Sequence, residues 1–221
     1  AIRGRELVIT APNFETATIE IIGTACYVQN KFSAKAGQQM HDKQAAGSKA
    51  AKGKKREPKD FRACYEEAKH LFPDGSSGIP ATSFKCAMVS ACRLAGFQMT
   101  RSKLAIFVES DGIGTDGKTP LVRITKGEPE YTEDFVRNDS GVADIRARPM
   151  WREGWRALVR VRFDADVLSA EDVMNLLMRA GLQVGIGEGR PDSKFSCGMG
   201  WGLFRPVQKS EASIVSNEKK G

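Results

Sequence analysis

The fold is decided by residues 158–186, LVRVRFDADVLSAEDVMNLLMRAGLQVGI. From Leu158 to Phe163, Val159, Val161 and Phe163 fall on one face and Arg160 and Arg162 on the other, the period of a half-buried strand. Ser169-Ala170-Glu171-Asp172 then has the form of a capping box. In that pattern the Ser hydroxyl accepts from the amide three residues on, and the carboxylate reaches back. The helix it opens is expected to run to Ala180 and to stop at Gly181, with a short strand, LQVGI, after it. Strand, capped helix and strand in this order make a βαβ-type half of a ferredoxin-like unit. An α+β fold is therefore expected.

Working outward, residues 5–11 and 17–24 (ATIEIIGT) are β-branched and read as two strands, able to pair through a turn at Pro12-Asn13-Phe14-Glu15. Residues 58–72 (PKDFRACYEEAKHLF) place Phe61, Cys64, Tyr65, Ala68, Leu71 and Phe72 at helical spacing. A second helix carries Phe84, Ala87, Met88, Ala91, Leu94 and Ala95 and is closed by Gly96. Residues 103–109 (KLAIFVE) read as a strand. Residues 111–150 are rich in Gly, Asp and Arg, with short β-like pieces such as LVRIT (121–125), and read as an insertion or protruding hairpin. A polar tail is expected from Pro206.

The chain has 221 residues and a formal net charge of +7. Residues 31–59 hold nine cations, Lys31, Lys35, Lys43, Lys49, Lys52, Lys54, Lys55, Arg56 and Lys59, against Asp42 and Glu57. The remainder balances at 25 basic and 25 acidic residues, so this one stretch carries the whole excess. Its low-complexity centre, AAGSKAAKGKK, reads as a mobile loop. With 41 % apolar residues a packed core is expected, and no apolar run approaches the ~18 residues of a membrane span. A soluble, cytoplasmic protein is the expectation. Five widely spaced cysteines without a C-x-x-C pair argue for buried reduced thiols, against a disulfide framework or a zinc site. No cofactor or metal is expected.

Three stretches could hold an anion. Gly112-Ile113-Gly114-Thr115-Asp116-Gly117-Lys118-Thr119 fits the phosphate-loop pattern. Pro120 and the β-like Leu121 to Ile124 follow it, where a phosphate loop needs a helix, so a glycine-rich hairpin turn accounts for it better. Residues 181–202 hold seven of the chain's 22 glycines, including Gly185, Gly187, Gly189, Gly198 and Gly200, with Arg190 and Lys194 among them. Glycines allow close approach of an anion to backbone amides. The ligand-free alternative is a bulged edge-strand loop. In Gly78 to Lys85, Pro80 delivers Thr82 and Ser83 to a helix start with Lys85 in the first turn, either an anion site or an ordinary N-cap.

GIPATSFKCAMVSACR (78–93) resembles the I-P-x-[ST]-S-[LF]-K-[GC]-x-[ML]-R-like segment of RAMP proteins, with Cys86 where members usually carry Gly. GIGEGRP (185–191) with KFSCGMGWG (194–202) resembles the C-terminal glycine-rich loop of the same superfamily. The two occur in the family's order. Together they resemble the repeating backbone subunits of class 1 CRISPR effector complexes, or a phage-borne or stand-alone relative.

The resemblance implies a ferredoxin-like, RRM-like palm spanning 1–205. Residues 31–59 would be a basic finger-like insertion and 111–150 a protruding thumb. It also implies a subunit without catalysis that polymerises along a guide RNA, presents it to a target nucleic acid and joins other effector subunits. Lys31, Lys35, Lys49, Lys52, Lys54, Lys55 and Arg56 would attract the strand. Thr82, Ser83, Lys85, Arg93, Arg190, Lys194 and the glycine amides of 185–200 would fix it. Phe32, Trp151 and Trp155 are candidate base stackers, with burial the alternative for either Trp. Some relatives cleave RNA with an acidic residue before the motif helix, a position near Asp42, whose lysine-rich surroundings do not favour that role. Two other classes fit the residues: a single-stranded DNA or RNA binding or annealing protein, and a phosphate-loop nucleotide hydrolase.

Overall fold

The structure, a computed structural model, describes residues 10–32, 34–45, 58–137, 143–193 and 199–208. Its spine is the antiparallel pair β1 (Phe14–Gly23) and β9 (Arg156–Asp164), in register from Phe14 opposite Asp164 to Ile22 opposite Arg156. On the free side of β1 lies β10 (Phe204–Pro206). On the other side of β9, β4 (Ile106–Glu109) pairs with its C-terminal half and β6 (Pro120–Lys126) with its N-terminal end. Two short strands, β3 (Gly78–Pro80) and β5 (Gly112–Ile113), both pair with β6.

Alternation decides which face is buried. Ala157, Val159, Val161 and Phe163 of β9 and Ile19 and Ile21 of β1 are buried, while Leu158, Arg160 and Arg162 point the other way. Two helices cover the apolar face. One, α3 (Ala81–Ala95), contributes Phe84, Met88, Ala91 and Cys92, and α5 (Ala170–Arg179) contributes Val173, Leu176 and Leu177. The capping box of α5 forms as its sequence dictates: the Asp172 amide donates to the Ser169 hydroxyl at 3.1 Å and the Ser169 amide to Asp172 at 2.9 Å. Gly96 ends α3 at φ 67°, a left-handed position that a side chain would strain.

A second, three-stranded sheet holds β2 (Tyr27–Val28), β8 (Ala143–Trp151) and β7 (Pro129–Arg137). Tyr27 joins it to the core, its ring 5.5 Å from that of Trp151 and 5.4 Å from that of Trp155. All three rings are buried, so replacing either Trp with Ala should cost about 3–5 kcal/mol. The remaining helices are α1 (Ala34–Ala45), α2 (Phe61–Glu67) and α4 (Met99–Ala105). Among the described residues no helix is long and apolar enough to cross a membrane.

Several expectations are corrected. Phe14 and Glu15 lie in β1 rather than in a turn, and residues 10–13 form no strand; 5–9 fall outside the described residues. The helix expected over 58–72 covers only Phe61–Glu67, because the chain folds back beyond it, with the Phe72 amide bonded to the Ser76 carbonyl. Residues 103–105 belong to α4, and the strand begins at Ile106. LQVGI is not a strand. The chain instead makes a π-helical turn, Ala180–Val184, because Gly181 packs directly on the Phe204 carbonyl and ring. The next strand of the larger sheet is β10, a long loop later. Residues 111–150 divide: β5 and β6 are in the larger sheet, and only β7 and β8 form the hairpin. Residues 34–45 are helical rather than a loop, and 46–57 fall outside the described residues. Pro206 belongs to β10, with the Val207 amide still bonded to Glu20, so the tail begins later than expected. Of the four described cysteines, all free, Cys92 is buried but Cys86 is exposed.

Candidate nucleic-acid interface

Pro80 begins α3 without a side-chain cap, leaving Thr82 exposed and Ser83 half-buried at the helix start. At about 100° per residue, Ser83, Cys86, Ser90 and Arg93 share one stripe, and Lys85 lies ~140° around the helix from Ser90. The two parts of the expected site are thereby separated. The Ser90 stripe faces the glycine-rich loop: the Ser90 hydroxyl and Arg93 Nη2 both donate to Asp192, the latter at 2.6 Å. Those hydrogen bonds, Ser90 first and Arg93 second, hold the Asp192 carboxyl below the usual range. Arg190 turns inward and donates to the Gly187 carbonyl at 2.9 Å. Arg93 and Arg190 thus brace the loop.

Backbone packing accounts for the loop's key glycines. A Cβ at Gly202 would overlap the Ile186 carbonyl, and one at Gly187 would overlap the Val28 carbonyl and the Tyr27 ring. The amides of Gly185, Glu188, Trp201 and Gly202 donate to Ala180, Val28, Gly189 and Cys26. Among the described residues, the amides of Gly187, Gly189 and Gly200 have no acceptor; Gly187 and Gly200 are half-buried, and Gly189 is buried against Trp201. Glu188 ties the loop to the hairpin, accepting from Arg146 at 2.8 Å and Arg148 at 2.9 Å. Lys194 and Gly198 fall outside the described residues.

Lys85 meets a different surface. Its Nζ stands 4.4 Å from the centre of the Phe107 ring, and the Arg162 guanidinium lies 5.2 Å from the rings of both Phe107 and Phe14. The two rings meet edge to face at 5.8 Å. This cluster sits on the outward face of the larger sheet and was not expected from the sequence. The alternation of Arg160 and Arg162 was the visible signal, but Phe14 read as a turn residue. Arg160 is ion-paired to Asp111 at 2.7 Å and lies 3.8 Å from Glu109. Arg162 has no carboxylate within ion-pair distance among the described residues, and neither does Lys85.

The expected basic finger is only partly described. The Lys31 amide bonds to Ala68, and its charge acts on His70 and Asp116. Burial first, and Lys31 second, lowers His70 to about 4. Lys35 lies on α1, while Lys49, Lys52, Lys54, Lys55 and Arg56 fall outside the described residues. Asp42, exposed, accepts from Gln38 at 2.8 Å. Phe32 is exposed and free to stack, but Trp151 and Trp155 are core residues and cannot.

The glycine-rich turn at 112–119 is filled by its own carboxylate. Asp116 accepts from the Lys118 amide at 3.1 Å, the Thr119 amide at 2.9 Å and the Thr119 hydroxyl at 2.5 Å. Those groups would otherwise face a phosphate, and a strand, β6, follows where a phosphate loop has a helix.

No family model matches the chain, and no curated protein matches it. Among solved structures it is similar to the crystal structure of Cmr6 from Pyrococcus furiosus, with 11 % identity and a TM-score of 0.41. The alignment covers 88 % of this chain and 99 % of that one. The geometry therefore has to carry the functional reading. Ser90 and Arg93 of α3 are bonded to the glycine-rich loop, where Arg190 also lies, whereas Lys85 meets Phe107.

Proposed function

We propose that this chain is an RNA-binding subunit of the RAMP kind. In this reading it polymerises along a guide RNA, presents it for target pairing in an antiviral CRISPR effector complex, and has no catalysis of its own. The observation that carries the reading is the junction at Asp192 and Glu188. There the motif helix, the glycine-rich loop and the β7–β8 hairpin, the three parts named by the sequence resemblance, are bonded to one another. The strand order β10-β1-β9-β4 also supports it, with α3 between β1 and β4 and α5 between β9 and β10. That is the order of a ferredoxin-like, RRM-like palm. In this reading the hairpin β7–β8 serves as a thumb, and the cations of residues 31–59 attract the strand.

Purifying the full chain from cells, reading its ratio of absorbance at 260 nm to that at 280 nm, and sequencing whatever nucleic acid comes with it tests this directly. Bound RNA is the expected result. A nucleic-acid-free monomer that fails to bind RNA at low salt overturns it. Equal affinity for RNA and DNA of the same sequence at every salt concentration would point instead to a general single-strand binder, because contacts to the 2′-hydroxyl survive salt that weakens phosphate contacts.

A further inference from the structure

The outward face of the larger sheet presents Phe14, Thr16 and Thr18 on β1 beside Leu158, Arg160 and Arg162 on β9, with Phe107 next to them on β4. Phe14 is 41 % exposed and Leu158 39 %, and Thr16 and Thr18 are exposed. Around this face the cations Arg156 and Arg160 are neutralised by Glu20, Glu109 and Asp111. Arg162 and Lys85 have no such partner among the described residues, and both stand over aromatic rings instead. Unpaired cations beside solvent-facing rings match the two halves of a nucleotide, a flat base and an anionic phosphate.

We propose that Phe14, Phe107, Arg162 and Lys85 form a second binding surface for single-stranded nucleic acid, separate from the glycine-rich loop. A base stacks on the Phe14 and Phe107 rings, and its phosphate takes the charge of Arg162 and Lys85. The hydroxyls of Thr16 and Thr18 stand on the same face, within the strand's path along β1. The sign of the free charge selects the partner: an acidic strand is attracted, whereas a neutral apolar partner would leave Arg162 and Lys85 desolvated at a cost. This rests on the reading of the chain as a nucleic-acid binder, and the test separates the two.

The full chain is titrated with a fluorescein-labelled oligouridylate by anisotropy, and a bromouridine version is cross-linked by light and mapped by mass spectrometry. Phe14→Ala, Phe107→Leu and Arg162→Gln are measured alongside, with thermal unfolding of each. Cross-links on β1 or β4, and affinity about tenfold weaker for each Phe variant at unchanged Tm, are expected. For Arg162→Gln the salt slope of log K should also flatten, by about 0.7 for one lost phosphate contact. Wild-type affinity in all three variants, with cross-links confined to the glycine-rich loop or the basic segment, overturns the sheet surface and leaves the RNA reading standing. A fall in Tm with unchanged affinity makes the cluster an internal brace and also overturns it. No binding by the wild-type chain at low salt removes both readings.

Discussion

At the glycine-rich loop, Arg93, Arg146, Arg148 and Arg190 all donate to a carboxylate or carbonyl of the same chain. On the outward face of the larger sheet, Arg162 and Lys85 stand over Phe107 with no carboxylate in reach among the described residues. The first region is dense in the residue types expected of an anion site, yet its described cations and most of its tightest glycines hold the fold together. The second takes only Lys85 from a motif, its other members arriving from separate strands, yet its charges are unpaired among the described residues. Residue type alone does not separate a ligand site from a brace; the partner of each charge does.

The sharpest way to break this contrast is at the glycines. Gly202→Ala, forced against the Ile186 carbonyl at φ 72°, should cost about 3 kcal/mol or more. Gly200→Ala, at φ 68° but facing open space, should cost only about 1 kcal/mol. Urea unfolding of the two variants measures the difference. Equal losses would mean that backbone conformation, rather than packing, sets the need for glycine there.

Next in size is Glu188→Gln, which leaves Arg146 and Arg148 without their shared carboxylate. A loss of about 2 kcal/mol in the same assay is expected. A neutral result would show that the loop and hairpin are not coupled through this residue.

His70 gives a smaller effect with a definite sign. Burial lowers its pKa to about 4 from the ordinary value of 6.5, so in that interval the unfolded chain binds more protons than the folded one. Its contribution is complete above the unfolded pKa and is lost as the pH falls through the interval. Stability should drop by about 1 kcal/mol between roughly pH 7 and pH 5.5, and His70→Gln should abolish that slope. Smallest of all, Phe14→Ala and Arg162→Gln should change stability by no more than about 0.5 kcal/mol, since both side chains face solvent.

Local signals were readable from the residues alone. The alternation of β9, the Ser169 capping box and the Gly96 stop each depend on a few neighbouring side chains, and each appears where the pattern puts it. Features set by distant parts of the chain were not readable. Gly181 makes a π-helical turn because of Phe204, a residue far along the sequence, and β6 joins the larger sheet through β9 rather than the hairpin beside it. The same limit applied to the site. The motif at Thr82, Ser83 and Lys85 was visible, but the capture of Arg93 by Asp192, 99 residues away, was not. Pro12-Asn13 suggested a turn and concealed Phe14, whose role depends on Phe107 and Arg162 arriving from other strands.

The most direct measurement is a titration of the full chain with labelled single-stranded RNA across a salt series. Binding that is tight at low salt is expected, with log K falling linearly against log salt at a slope of about −0.7 per phosphate neutralised. An absence of binding at the lowest salt, or an affinity indifferent to salt, would contradict the claim that this chain holds a nucleic-acid strand.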